Sequence, residues 1–137
     1  MIRPLLAASL AVLSLSACSK PAGTAAVGSD PYAGLEREII SWRNHIEASH
    51  PACAVKTDGK GCESFQVTCK AQQEITADES AKGVIAQVIA AMTFNGRAGA
   101  DGASGKPGSS FSVFSRTAEG WTRTDASPVN LSTCAPV

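Results

Sequence analysis

The chain has 137 residues, of which 12 are basic and 12 are acidic, so its formal net charge at neutral pH is zero. This balance gives no electrostatic case for nucleic-acid binding, and we expect no nucleic-acid partner. The length is sufficient for one small domain together with a targeting segment.

The N-terminal segment has the pattern of an export signal. Arg3 precedes an apolar run over residues 5–15, which is shorter than the ~20 residues that a membrane-spanning helix needs. The run ends in Leu15-Ser16-Ala17-Cys18, which resembles the lipobox of bacterial lipoproteins: a branched residue, two small residues and the cysteine that receives the lipid. The resemblance covers residues 1–18 only. It implies that residues 1–17 are a signal peptide and that Cys18 is lipidated.

The same resemblance implies where the protein is located. Two or more acyl chains on one cysteine are sufficient for stable membrane anchoring. Ser19, at the second position of the processed chain, implies transport to the outer membrane, with the protein facing the periplasm. The small residues that follow predict a lipidated flexible tether over 18–29, and a single globular domain over 30–137.

The cysteine count agrees with export. Lipidation of Cys18 leaves four cysteines, and in an exported domain these predict two disulfides with three possible connectivities. No Cys-x-x-Cys pair is present, so we expect disulfides instead of a zinc site, and no metal or other cofactor. We favour Cys53–Cys62, which closes a polar turn, and Cys69–Cys134, which fixes the C-terminal tail.

The first predicted element of the domain is a helix. Asp30-Pro31 is an acidic N-cap followed by proline at the first helical position, and His50-Pro51 ends the helix because a residue before proline avoids the helical conformation. Apolar residues recur at steps of three and four: Tyr32, Leu35, Ile39, Trp42 and Ile46. The opposite side mixes acids with bases, so we predict that this stripe faces the core and not a membrane.

A strand and a short helix follow. Polar and apolar residues alternate over 64–75, which predicts a half-buried antiparallel strand. Its predicted inner face consists of Phe65, Val67, Cys69, Ala71 and Ile75. Thr76 and Glu79 then match a capping box, which predicts one or two helical turns ending near Gly83.

Residues 84–94 fit both a strand and a helix. A helix would place Gly83 in its interior and contain many β-branched residues, so we predict a strand. Its shared face would consist of Val84, Ala86, Val88, Ala90, Met92 and Phe94. Glycine then recurs at every third position from Gly96 to Gly108, a collagen-like run too short for a triple helix. We predict a loop between strands there.

The last predicted element is a hairpin, formed by residues 111–116 and 121–124. A turn over 117–120 would place Phe114 opposite Arg123 and Arg116 opposite Trp121, with all four side chains on one face. Aromatic rings flanked by guanidinium groups can bind an anionic or sugar-containing envelope ligand by stacking and cation–π contact. The alternative is a cross-strand ladder that only stabilises the hairpin.

These elements predict an α+β domain, in which an N-terminal helix packs on an antiparallel sheet of about four strands stapled by two disulfides. We identify no catalytic residues: His45 and His50 would diverge by about 140° on a helix, and no nucleophile motif is present. We therefore expect a non-catalytic, lipid-anchored lipoprotein of the cell envelope, a binding or structural module with an envelope protein or a glycan as partner. Two alternatives stay open: an inhibitor of a hydrolase such as lysozyme, and an envelope enzyme of unidentified activity.

Overall fold

The computed structural model describes residues 30–97 and 105–137. Several predictions concern residues outside these ranges: the signal peptide 1–17, the lipidation site Cys18, the tether 18–29, and Gly99 and Gly102 of the glycine run. The elements in chain order are α1 (Leu35–Ser49), a 3₁₀ turn (Pro51–Cys53), β1 (Cys62–Gln72), α2 (Ala77–Ala81), β2 (Ala86–Gly96), β3 (Pro107–Thr117) and β4 (Gly120–Asp125).

The four strands form one antiparallel sheet in the order β1-β2-β3-β4, so each strand pairs with its neighbour in the chain. Residues 86–96 are therefore a strand and not a helix. Gly83 lies between α2 and β2 with φ +87°, a conformation that interrupts a helix and that glycine adopts without strain. The strand begins two residues after the predicted position, at Ala86 instead of Val84. None of the helices in the described parts of the chain is long and apolar enough to cross a bilayer.

Helix α1 begins at Leu35, so the start predicted from Asp30-Pro31 was wrong. The Asp30 carboxylate accepts a hydrogen bond from the backbone N–H of Tyr32 at 2.8 Å, which closes a local turn instead of capping a helix. Gly34, with φ +79°, occupies the N-cap position, and its left-handed conformation redirects the chain into α1. The predicted end is confirmed, because α1 stops at Ser49 before the extended residue His50.

Each face of the sheet has its own core. On one face, α1 contributes Leu35, Trp42 and Ile46, and the predicted apolar stripe is confirmed as a core stripe. The buried side chains of this helix-side core that come from the sheet are Cys62, Val88, Ala90, Met92, Phe94 and Phe114. On the other face, the C-terminal tail covers the sheet. The buried members of this tail-side core are Ile89, Ala91, Val129 and Cys134.

Strand β1 contributes side chains to both cores, and the single inner face predicted for it was wrong. Val67 lies opposite Met92 on the helix side, whereas Cys69 lies opposite Ala91 on the tail side. The register shifts between these two positions, and it shifts again around Ser64, which has φ +57°. A bulge inserts an extra residue and breaks the two-residue period, which an alternating sequence pattern does not reveal.

The structure contains the two disulfides favoured by the sequence. Cys53 pairs with Cys62 across nine residues and joins the 3₁₀ turn to β1 on the helix side. Cys69 pairs with Cys134 across 65 residues and fixes the tail against the opposite face. Each core therefore has its own covalent cross-link.

The short helix α2 has the predicted capping box. The Thr76 hydroxyl accepts a hydrogen bond from the backbone N–H of Glu79, and the Glu79 carboxylate accepts one from the backbone N–H of Thr76. The second carboxylate oxygen of Glu79 accepts from the Gln87 amide at 2.7 Å, which ties α2 to β2. Hydrogen bonds from Thr76 and Gln87 lower the pKa of Glu79, so the carboxylate stays ionised.

Candidate functional site

The C-terminal hairpin brings together the four residues predicted as a binding face. Phe114 is paired with Arg123 and Arg116 with Trp121, in the predicted register. However, this face of the hairpin lies on the helix side of the sheet. Phe114 is fully buried, and its ring makes an edge-to-face contact with Trp42 at 5.5 Å between ring centroids. Phe114 is thus a core residue that no partner can contact in the folded domain.

Arg123 is held by groups within the hairpin. Its guanidinium donates to the hydroxyl of Ser112 at 2.9 Å and to the carboxylate of Asp125 at 2.6 Å. Ser112 is fully buried, and this hydrogen bond satisfies its hydroxyl. Arg123 therefore links β3 to β4, and we assign it a structural role.

Arg116 and Trp121 hold the turn before α1. The indole N–H of Trp121 donates to the carbonyl of Ala33 at 2.9 Å, and the Arg116 guanidinium donates to the carbonyls of Asp30 and Ala33, each at 3.4 Å. The guanidinium also lies 5.4 Å from the centroid of the Trp121 ring. A Cβ at Gly34 would make an ordinary contact with the indole, so glycine is favoured here by its positive φ and not by lack of space.

Trp121 is half-buried and lines an open groove of about 940 Å³ around the N-terminal end of α1. We call this concavity the Trp121 groove; its described lining side chains include Asp30, Tyr32, Glu36, Arg37, Glu38, Ile40, Lys70, Glu119 and Trp121. Sites that hold small ligands occupy roughly 300–1,000 Å³ and place a few polar groups beside aromatic surface. The groove has a volume in this range and two aromatic rings, although charged residues make up half of its described lining, and it is the candidate site.

Two aromatic rings of the groove already have a cation beside them. The Lys70 ammonium lies 5.3 Å from the centroid of the Tyr32 ring, and the Arg116 guanidinium lies 5.4 Å from the centroid of the Trp121 ring. Sequence reasoning identified Trp121 and Arg116 but missed Tyr32 and Lys70. These two lie 38 residues apart in the chain, and only the fold brings them together.

Glu119 is an oriented carboxylate at the rim of the groove. It accepts a hydrogen bond from the Thr117 hydroxyl at 2.8 Å within the β3–β4 turn. This hydroxyl, followed by the backbone N–H of Glu119 itself, lowers the pKa of the Glu119 carboxyl. The side chain therefore presents a fixed negative charge at neutral pH.

A smaller groove of about 430 Å³ lies at the opposite end of α1, and both histidines line it. The helical spacing predicts that His45 and His50 diverge, but His50 lies beyond the last helical residue. The Nδ1 atom of His50 accepts a hydrogen bond from the backbone N–H of Ala52 at 3.1 Å, which places the proton of the neutral ring on Nε2. The His50 ring also packs edge-to-face on Phe94, with 4.8 Å between the ring centroids. These contacts give His50 a structural role.

Within residues 30–97 and 105–137, one cluster has the spacing of a metal site: Glu47, Cys53 and Cys62. Both sulfur atoms are bonded to each other in the disulfide, so neither is available as a thiolate ligand. The Glu47 carboxylate instead accepts hydrogen bonds from the backbone N–H groups of Gly61 and Cys62 and pairs with Lys56 at 3.5 Å. This cluster holds the 3₁₀ turn and the start of β1 against α1.

Comparison with known proteins gives no match, whether by family model, by curated sequence or by solved structure.

Proposed function

We propose that the protein is a non-catalytic, lipid-anchored module of the bacterial cell envelope that binds an envelope partner in the Trp121 groove. The pair of disulfides carries the envelope location in this proposal. Stable disulfides form in exported proteins and are rare in the reducing cytosol, and here each one cross-links a separate core. Export agrees with the lipobox at Leu15-Ser16-Ala17-Cys18, and the lipid on Cys18 would anchor the domain to the outer membrane, facing the periplasm.

The composition of the groove supports binding. Its described lining residues include no histidine, serine or cysteine, so they do not form a Ser-His or Cys-His nucleophile pair. They offer two aromatic rings, four carboxylates, the cations Arg37 and Lys70, and the exposed Ile40 instead. Of the four residues that the sequence indicated as a binding face, Trp121 is the one that lines the groove.

The anchor is tested on the protein made in a bacterium with its own N-terminus. We expect mass spectrometry to find diacylglyceryl-modified Cys18 as the first residue, and fatty-acid labelling to disappear in Cys18→Ser. The Cys53→Ser variant is the matched control, because it removes a cysteine from the domain without touching the lipobox. An unacylated N-terminus on the wild-type protein would contradict the proposed anchor.

The binding role is tested by blocking the groove with a long cationic side chain. Ile40 lines the groove and is 61% exposed, and Ile85 is equally exposed at 62% but does not line it. We expect Ile40→Arg to abolish co-sedimentation with isolated cell envelopes, and Ile85→Arg to retain it. Both changes are made in the Cys18→Ser chain behind a conventional cleavable export signal, so that lipid does not contribute. Equal co-sedimentation of the two variants would contradict the proposal that the partner binds in the groove.

A further inference from the structure

We propose that the Trp121 groove binds a basic peptide segment of the envelope partner. The inference deepens the binding role proposed above and rests on it. It is drawn from three features of the groove: its carboxylates without ion-pair partners, the ammonium group that already lies against one of its aromatic rings, and the apolar surface beside them.

The charge of the groove favours a cationic ligand. Four carboxylates line it, and they are opposed by two cations among its described lining residues. The carboxylates are Asp30, Glu36, Glu38 and Glu119, and the cations are Arg37 and Lys70. In the part of the chain that the structure describes, none of the four carboxylates forms an ion pair with a lysine or an arginine. A positively charged ligand would complement this lining, and such complementarity speeds association and selects the partner.

An anionic ligand does not fit the groove. The sequence-based expectation of such a ligand rested on Arg116 and Arg123, but neither arginine lines the groove. Their guanidinium groups are engaged by the backbone carbonyls before α1 and by side chains of the hairpin. A phosphate or a uronic acid would therefore meet a net negative lining, and like charges brought together at a binding surface reduce affinity.

An ammonium group already lies against the aromatic surface of the groove. The Lys70 ammonium is 5.3 Å from the centroid of the Tyr32 ring, and within residues 30–97 and 105–137 it has no carboxylate partner. Its contact is the attraction of a cation to the face of an aromatic ring. Trp121 offers a second ring, and Arg116 contacts that ring without lining the groove, so the part of the indole that lines the groove is left for a ligand.

Apolar surface beside the charges favours a peptide over an amino sugar. Ile40 lines the groove and is 61% exposed. A lysine side chain carries its ammonium on a flexible aliphatic stem, which packs on apolar surface while the charged head reaches a carboxylate. The amino group of a sugar is attached directly to a hydroxylated ring, so an amino sugar has no such stem to cover Ile40.

Two of the carboxylates are oriented before any ligand arrives. Asp30 accepts a hydrogen bond from the backbone N–H of Tyr32, and Glu119 accepts one from the Thr117 hydroxyl. The turn that carries Asp30 is itself held to the hairpin by three hydrogen bonds. Because these groups are already ordered, binding a basic segment costs less conformational entropy.

The test compares four short ligands with the full-length protein in a nonionic detergent. Three are tetrapeptides with blocked ends, made of lysine, glutamine or glutamate, and the fourth is the cationic tetramer of glucosamine. We expect calorimetry to show saturable binding of tetralysine, with an affinity that falls as salt is added because exposed charges are screened. The glucosamine tetramer should bind about tenfold more weakly, since it leaves the apolar surface uncovered. The two other tetrapeptides should not bind.

Variants with effects of opposite sign locate the site. Glu36→Lys replaces an exposed carboxylate of the groove by a cation and should weaken tetralysine binding about tenfold. Lys70→Gln removes the resident cation and should strengthen binding about threefold. Glu74→Lys makes the same charge change at an exposed acid outside the groove and should leave the affinity close to that of the wild type. Misfolding can weaken binding but cannot strengthen it, so the opposite effects report on the groove.

The outcomes separate this inference from the proposed function. Preferential binding of any ligand other than tetralysine, or binding of none of the four, overturns the basic peptide. Tetralysine binding that is unchanged in both Glu36→Lys and Lys70→Gln overturns it as well. If envelope co-sedimentation still depends on Ile40 in either case, the groove holds a different partner and the proposed function stands.

Discussion

Glu47 connects α1 to a distant part of the chain through its carboxylate. It accepts hydrogen bonds from the buried backbone N–H groups of Gly61 and Cys62, and its own backbone carbonyl accepts one from Lys56 at 2.6 Å. Partial burial acts to raise the pKa of Glu47. The hydrogen bonds from Gly61 and Cys62 and the charge of Lys56 outweigh burial and lower the pKa below its ordinary value.

Glu47→Gln should destabilise the protein by about 2 kcal/mol at pH 7, because two backbone donors lose a charged acceptor. The pKa of Glu47 is lower in the folded state than in the unfolded chain, so its contribution is present above the unfolded pKa and is lost as the pH falls through the folded one. We therefore expect the difference in unfolding free energy between wild type and variant to close in acid. Urea unfolding at pH 7 and pH 3 measures it, and an equal difference at both pH values would contradict this role.

Residue contacts were predictable from the sequence where they are local. The capping box of Thr76 and Glu79 spans three residues and follows a recognisable pattern. The bonds of Glu47 span 14 and 15 residues, and the bond from Trp121 to Ala33 spans 88. No spacing rule connects such positions. The sequence could therefore indicate Trp121 as a candidate for a binding surface, but it could not show that Trp121 holds the turn before α1 by a hydrogen bond.

At the scale of elements, strands were predicted best where the chain keeps one period. Strand β2 is buried on both faces and keeps its register. Four members of its predicted inner face, Val88, Ala90, Met92 and Phe94, lie in the helix-side core, whereas the predicted member Val84 precedes the strand. Strand β1 alternates between polar and apolar residues but contains two register shifts, and its predicted face was wrong. The predicted start of α1 was also wrong. The Asp30 carboxylate can either cap a helix or close a turn, and here it accepts the hydrogen bond that closes a turn.

The pairing of Phe94 with Gly108 shows why β3 needs a residue without a side chain at one position. The two lie opposite each other in the sheet, and a Cβ on Gly108 would clash with the Phe94 ring. Phe94 is 2% exposed and also contacts His50 and Phe65, so its ring has little room to move.

Gly108→Ala should therefore destabilise the protein by about 2 kcal/mol, the cost of overpacking a filled core. Gly120→Ala is not a suitable control because Gly120 has φ +127°, whereas Ser109→Ala changes an exposed neighbour on the same strand. Thermal unfolding of the two variants measures the difference. A Gly108→Ala variant as stable as Ser109→Ala would show that the ring is less confined than the structure indicates.

At the scale of the whole molecule, the sequence predicted the class and the cross-links but not the layers. The helix, the four-stranded antiparallel sheet and the two disulfides are all present. The tail-side core was not predicted, because Val129 and Ala126 lie in a turn-rich segment without a periodic pattern. A segment of this kind is positioned by its cross-link and its packing, which local sequence signals do not report.

The two disulfides should differ in their contribution to stability. In the chain-entropy model, closing 65 residues contributes about 4 kcal/mol and closing nine residues about 3 kcal/mol. We therefore expect the double variant Cys69→Ser/Cys134→Ser to lose more unfolding free energy than Cys53→Ser/Cys62→Ser. Guanidinium unfolding under oxidising conditions measures both. The opposite order would indicate that packing around Cys53 and Cys62 outweighs loop closure.

The cross-link between Cys69 and Cys134 also determines what a protease can release. A single cut after Asp125 would separate the last residues from the backbone of β4, yet the severed peptide would stay attached to β1 through sulfur. Such a nicked molecule migrates as one species on a denaturing gel until a reductant is added, and then as two. Val129 could remain in its place over the sheet, so a protein clipped in this way would retain both of its cores.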